Sequence, residues 1–297
     1  MNKKLFIIIS VIFFGLNIYL GSEIHQNFSK YQRYKTAYAS ELDMKKTMLD
    51  YKDYILTTEW ETTKSTARGF LKKGITAKEK GNSYGLMSSI FITVYGLLFF
   101  YFYKKNKITI KQFGLMVLNI SMVLLVIGIT IPILEFGAFL QDQEISIAAI
   151  SKSFNGRIYL LFQCKSIMGV IQTLFQNNNF IVAFALFTFS IIFPFTKLLM
   201  FYYFLLSSKL DAKMKTLKII SYLGKYSMAD VFVASTFLAF LSFSSLDFGM
   251  KTESSTLLGI YFFLGYCIIS IATYFIIQKK IGHSETTNPI SSLDEKF

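Results

Sequence analysis

The stretch 189-FSIIFPFTKLLMFYYFLL-206 decides how this chain is read. It has the make-up of a membrane helix, because a hydrocarbon core of about 30 Å takes roughly 20 apolar residues at 1.5 Å each. Yet it carries Pro194 and Lys197 within one turn of each other. The proline withholds the N–H that the carbonyl of Ser190 would accept in a regular helix, so a kink is predicted. By helical rise Lys197 lies only about 6 Å past the middle of the span. A charge at that depth costs about 2.5–3.5 kcal/mol on insertion scales. Two readings stay open: the lysine snorkels to the cytoplasmic interface, or it points into a helix bundle toward an acidic partner.

The rest of the chain has the same character. Of its 297 residues 53% are hydrophobic and 17% aromatic, and the mean hydropathy is +0.45. No ordinary soluble domain combines these, so the chain is expected to be an all-α integral membrane protein. Six spans meet the length criterion, at about 5–21, 84–103, 113–136, 180–206, 228–249 and 257–277. Lys3 and Lys4, the cluster from Lys104 to Lys111, the cluster from Lys209 to Lys225, and Lys279 with Lys280 flank these spans on one side. By the positive-inside rule that side is the cytoplasm, and both termini lie there. The net charge of +13 is accounted for in this way, and nucleic acid is not expected as a partner. The first span has a basic start and an apolar core, like a signal peptide, but without a clear small-x-small cleavage site it reads as an uncleaved anchor.

Two segments are expected outside the cytoplasm. Residues 22–83 place Phe28, Tyr31, Tyr38, Leu42, Leu49 and Leu56 at three-, four- and seven-residue steps, the apolar stripe of an amphipathic helix or helical hairpin. It serves as a stalk packing on itself or on a twin, or as a docking surface. The segment 137–179 is too apolar for a free loop and too interrupted by charge for a span. There an interfacial or re-entrant amphipathic helix is predicted before the fourth span, with Tyr159, Phe162, Ile167, Val170, Ile171 and Leu174 on one face. The tail beyond 280 is short and polar, and reads as disordered. Domain boundaries are thus an N-terminal two-span unit, 1–112, a four-helix membrane module, 113–280, and a cytoplasmic tail, 281–297.

Polar side chains within the spans are the candidate functional residues. Span five opens "LGKYSMADVF", in which Ser227 caps the helix and Asp230 enjoys the N-terminal dipole. That is a complete structural explanation, yet it also sets a carboxylate within reach of a snorkelling Lys197. Glu135 and Pro132 read as interfacial residues at one end of span three, and Asn119, Ser121, Thr188 and Thr196 as interhelical hydrogen-bonders. Cys164 and Cys267, with His25 and His283 far apart, offer no metal set. Neither a phosphate loop nor a nucleophile beside a histidine appears, so neither an enzyme nor a cofactor is expected.

The run "FSIIFPFTKLLMFYYFL", followed by "LGKYSMADVFVASTFLAFL" and then "GIYFFLGYCIISI", resembles the paraquat-inducible protein A family over about 113–280. That family shows a Pro-x-x-Lys in one membrane helix and a Gly-Lys-Trp-Ser-Met-x-Asp-Val-Phe-like entry into the next. The resemblance implies an inner-membrane component of a bacterial lipid-trafficking system, acting on phospholipid beside a mammalian-cell-entry (MCE) type periplasmic tunnel protein. It further implies that Pro194, Lys197, Lys225, Ser227 and Asp230 belong to a polar transport network, with Glu135, Asn119 and Thr196 as lesser candidates. Family members often carry cytoplasmic Cys-x-x-Cys zinc ribbons, which this sequence lacks, so no zinc is expected. They also commonly hold two four-helix modules where this chain has one, a pair that a homodimer would restore. Tyr226 stands where tryptophan is usual. A different reading makes the chain a membrane-anchored sensor or scaffold whose segment 22–83 binds a partner.

Overall fold

The computed structural model describes residues 3–43, 59–147, 150–207 and 251–286. The expected fifth span, 228–249, lies outside these residues, as do Leu49, Leu56, Lys225, Tyr226, Ser227 and Asp230. Helix α1 spans Lys3–Glu41 and α2 spans Glu59–Lys104. At 1.5 Å per residue each is about 58 Å or longer, roughly twice what a bilayer core needs. So the first span and the helical segment after it are one continuous helix, and α2 repeats the arrangement in reverse. The two pack along their length through Phe6 against Phe99 and Phe13 stacked on Tyr95, and Phe28 and Tyr31 of α1 lie against Gly81 and Gly74 of α2. Within the described residues the predicted stripe divides: buried Phe28 and Tyr31 lie on the α1 to α2 seam, whereas Tyr38 and buried Leu42 pack toward Tyr159.

Helix α3, Ile110–Thr130, starts at a capping box between Thr109 and Gln112. It stops at Thr130 because Ile131, the residue before Pro132, takes extended backbone. The span expected over 113–136 is shortened accordingly, and Glu135 falls in a strand. Strand β1 covers Leu134–Ile147 and β2 covers Ile150–Lys165, an antiparallel pair. Strand β3, Lys251–Thr256, adds to the other side of β1, giving the order β2-β1-β3.

The described residues are mostly helical, as expected, but this sheet departs from an all-α protein and replaces with strand the first part of the amphipathic helix expected within 137–179. Only the last part of that segment is helical, as α4, Ile167–Gln176, capped by Ser166. The apolar positions at Tyr159 and Phe162 belong to β2, where exposed Leu161 and Gln163 alternate with half-buried Phe162 and buried Cys164. A shift in register beside Leu160 lets Ile158 and Tyr159 both turn inward.

Beyond a turn in which Asn178 takes a left-handed φ of 59°, α5, Phe180–Phe187, runs through a π-helical turn, Thr188–Ile192, into α6, Phe193–Leu206. Helix α7, Leu258–Thr286, follows β3 and continues past the boundary expected at 280. It packs on α3 at two glycines. A Cβ on Gly128 would lie 2.7 Å from the Phe263 nitrogen, and one on Gly259 would lie 2.5 Å from the Ile131 carbonyl. Small residues are what allow membrane helices so close an approach. Among the described residues four helices are long and apolar enough to cross a membrane: Lys4–Glu41, Thr62–Lys104, Ile110–Thr130 and Phe180–Leu206. The apolar part of α7, Leu258–Thr273, is shorter.

Candidate functional site

The bent helix α5 to α6 is built around the missing donor of Pro194. One residue ahead of the proline the ladder widens, with the Phe193 N–H donating to the Thr188 carbonyl, five residues back. Such a π-turn takes up the mismatch and turns the following side chains to a new face. Ser190, Pro194, Lys197 and Phe201 are buried and follow one another at steps of four, three and four, with buried Leu198 beside Lys197. They form a single stripe facing into the bundle.

Lys197 is only 4% exposed. A snorkelling side chain would reach solvent, so burial agrees with the inward-pointing half of the other reading, while the acidic partner expected for it, Asp230, lies outside the described residues. The Thr188 and Ser190 hydroxyls are buried and have no hydrogen-bond partner among the described residues, and the same holds for Ser270 on α7. Thr188, expected to be an interhelical hydrogen-bonder, therefore makes no such bond to them. Thr196, beside Lys197, is half-buried.

A second polar group threads the four spans. The Tyr202 hydroxyl on α6 donates to the Asn119 side-chain oxygen Oδ1 on α3 at 2.6 Å, and Asn119 Nδ2 donates to the Tyr95 hydroxyl on α2 at 3.3 Å. Tyr95 lies 3.1 Å from the Ser10 hydroxyl on α1. A parallel link joins Ser88 on α2 to Asn17 on α1 at 2.9 Å. Asn119 is thus the interhelical bonder that its position suggested, whereas Ser121 bonds within its own helix, to Val117. Sequence reasoning passed over Tyr95, Tyr202 and Ser10, whose hydroxyls in apolar runs were the available signal.

A third group sits where the two-span unit meets the sheet. Glu135 on β1 accepts hydrogen bonds from Tyr31 on α1 and Ser255 on β3. It is also paired with Lys78 on α2 at 3.1 Å, and the Lys78 ammonium lies 5.0 Å over the Tyr31 ring. Burial pushes the Glu135 carboxyl up, but the bonds from Ser255 and Tyr31 and the Lys78 charge outweigh it and hold the group below the usual carboxylate range. Farther out, Arg157 pairs with Glu253 at 2.8 Å on the exposed side of the sheet, and the Tyr159 N–H donates to the Leu42 carbonyl at 2.8 Å. A void of about 10 Å³ between Lys35, Glu135 and Glu253 has room for about one water. Glu135 is accordingly a junction between units and stands apart from the Lys197 stripe.

The three groups divide the sequence candidates between them. Pro194, Lys197 and Thr196 share α6, Asn119 belongs to the interhelical chain, and Glu135 to the junction; Lys225, Ser227 and Asp230 lie outside the described residues. No group of three metal-ligating side chains occurs among the described residues. Compared with known proteins, residues 159–280 match the family model described as paraquat-inducible protein A. No curated protein and no solved structure matches the chain.

Proposed function

We propose, from the premise that residues 159–280 are a paraquat-inducible protein A region, that this membrane protein is a non-enzymatic subunit of a bacterial lipid-trafficking system. It sits in the inner membrane with both termini in the cytoplasm and acts on phospholipid beside an MCE-type periplasmic protein. The observation that carries the reading is the buried lysine on α6, which follows a proline and two hydroxyls of the preceding π-turn, Thr188 and Ser190, that are without a partner among the described residues, inside a membrane helix. Ionisable groups in such positions are costly, and they are kept where a substrate or ion path uses them. A π-turn ahead of a proline supplies a place where the helix can bend between two states. Lys225, Ser227 and Asp230 complete the proposed polar network, and a second copy of the chain supplies the second module.

The test is Lys197→Ala in cells that depend on this protein for envelope barrier function. The variant is expected in the membrane at wild-type abundance, with the barrier lost. A full barrier with Lys197→Ala would remove the network from the mechanism. Crosslinking from Tyr38, on α1 near the sheet, tests the partner. Capture of an MCE-type protein supports the reading, and capture of a soluble ligand-binding protein alone favours the sensor or scaffold.

A further inference from the structure

Among the described residues most buried hydroxyls are bonded. Ser10 is bonded to Tyr95 and Ser88 to Asn17, while Ser121 and Thr273 bond to carbonyls of their own helices. The Ser190 hydroxyl ahead of α6 and the Ser270 hydroxyl on α7 have no partner among these residues, although Ser190 is 1% and Ser270 2% exposed. Native proteins meet such groups with ordered water.

Helix registers place the two serines in depth. Tyr202 of α6 bonds to Asn119 of the antiparallel α3, and Leu205 lies against Gly114. Lys197, five residues before Tyr202, is therefore level with α3 near Leu124. On α7, Phe263 lies against Gly128 and Gly265 against Leu124, which sets Ser270 level with Ser121. Lys197 and Ser270 thus differ in depth by roughly 5 Å, and Ser190 lies about 10 Å beyond Lys197 toward the sheet end of α3.

Helical angles place them on one side of the bundle. Lys197 stands about 140° around α6 from Tyr202, the residue that reaches toward α2 through Asn119. Ser121 stands about 160° around α3 from Asn119, in line with Leu124 and Gly128 on the face that meets α7. The lysine stripe therefore lies on the side of α6 turned from α2, the side on which α7 packs against α3. At its sheet end the Pro194 bend takes one donor from the ladder and opens a π-turn. Water is among the groups that meet backbone freed in this way inside membranes.

We infer that a hydrated crevice enters between α6 and α7 from the sheet end of the bundle, passes Ser190 and Lys197, and ends at Ser270 opposite Ser121. Its ligand is water. The inference rests on the proposed reading of Lys197 as part of a working site and names what reaches it. Contact with water is what lets an ionisable group inside a membrane take part in a proton or ion path.

The experiment is X-ray footprinting of the full chain in lipid nanodiscs, in water enriched in heavy oxygen, with the label read by mass spectrometry. Hydroxyl radicals formed from water held inside a protein mark the side chains that touch it, and no reagent has to enter. Pro194 and Phe201 on α6 and Tyr266 on α7, all less than 2% exposed, report on the crevice. Phe99, 0% exposed and packed on Phe6, reports on a dry seam. The three reporters are expected to take up label several times faster than Phe99. Ser270→Val, which puts methyls in place of the hydroxyl, is expected to lower the label at Tyr266 to the Phe99 level and to leave that at Pro194. The wild-type comparison needs no variant and stands where Ser270→Val fails to fold.

Label at the reporters no faster than at Phe99 overturns the crevice, and the serines then serve close helix packing alone. Label at Pro194 and Phe201 without Tyr266, or label at Tyr266 unchanged in Ser270→Val, overturns its reach to Ser270. Because no transport is measured, a dry result leaves the Lys197→Ala test of the proposed function open to either outcome. Conversely, a full barrier in Lys197→Ala leaves the water standing.

Discussion

At Glu135 side chains from α1, α2 and β3 converge on one carboxylate, whereas in the π-turn leading into α6 two hydroxyls lie buried with no partner among the described residues. Both regions hold a charged group that is largely shielded from solvent, and they treat polar atoms around it in opposite ways. A buried polar atom without a partner costs about 1–3 kcal/mol, and satisfying it recovers that cost. The junction recovers it and locks two units together. The stripe forgoes it among the described residues, as the proposed function would have a site that exchanges partners do.

The sharpest way to break this contrast is Glu135→Ala. It strands the Lys78 ammonium and two hydroxyls at once, and should cost about 3 kcal/mol of stability. Thermal unfolding of the purified protein in detergent, followed by circular dichroism, would show it as a lower Tm. An unchanged Tm would mean that the junction holds nothing together.

Acid should do part of the same damage. The Glu135 carboxyl is held below its ordinary value in the fold, so its contribution is fully present above the unfolded value of about 4.3. It is lost as pH falls from there through the folded value. The loss should be smaller than in Glu135→Ala, because a protonated carboxyl keeps oxygens for the Ser255 and Tyr31 hydroxyls. Comparing Tm across this range in wild type and Glu135→Gln checks the point, since the variant should lack that acid component. Parallel curves would place the acid sensitivity elsewhere.

Tyr202→Phe comes next in size. It removes the hydrogen bond to Asn119 and leaves the ring packed, at a cost of about 0.6–1 kcal/mol, the usual worth of an interhelical bond in membranes. A double-mutant cycle with Asn119→Leu measures it. A coupling near zero would make the chain from Ser10 to Tyr202 a coincidence of position.

Much of the membrane part could be read from the sequence because hydrophobic length is a direct physical requirement there. The spans at 5–21, 84–103 and 180–206 fall within α1, α2 and α5 to α6, and the proline at 194 does mark a disturbed ladder. The sheet was hidden for a different reason. Tyr159, Phe162, Ile167, Val170 and Leu174 fit a helical period only when counted across the Lys165–Ser166 junction, where strand gives way to helix. The alternation from Leu161 to Cys164 was the truer local signal, but it is only four residues long. Glu135 was misplaced for the same reason, since Pro132 ends α3 earlier than hydropathy does. Its partners Tyr31, Lys78 and Ser255 come from distant parts of the chain, and pairing at that separation has no local trace.

Ser190→Ala should have the smallest effect on folding and separates the two regions most cleanly. The hydroxyl is buried without a partner among the described residues, so removing it deletes no bond and relieves an unsatisfied group. Stability should stay within about 0.5 kcal/mol of wild type or rise slightly, again read as Tm. If the hydroxyl is used during transport, barrier function should fall while Tm holds, a separation that Glu135→Ala cannot produce. A Tm loss equal to that of Tyr202→Phe would show Ser190 to be a structural bond like the rest. The stripe would then be one more packed polar seam, and the weight of the mechanism would rest on Lys197 alone.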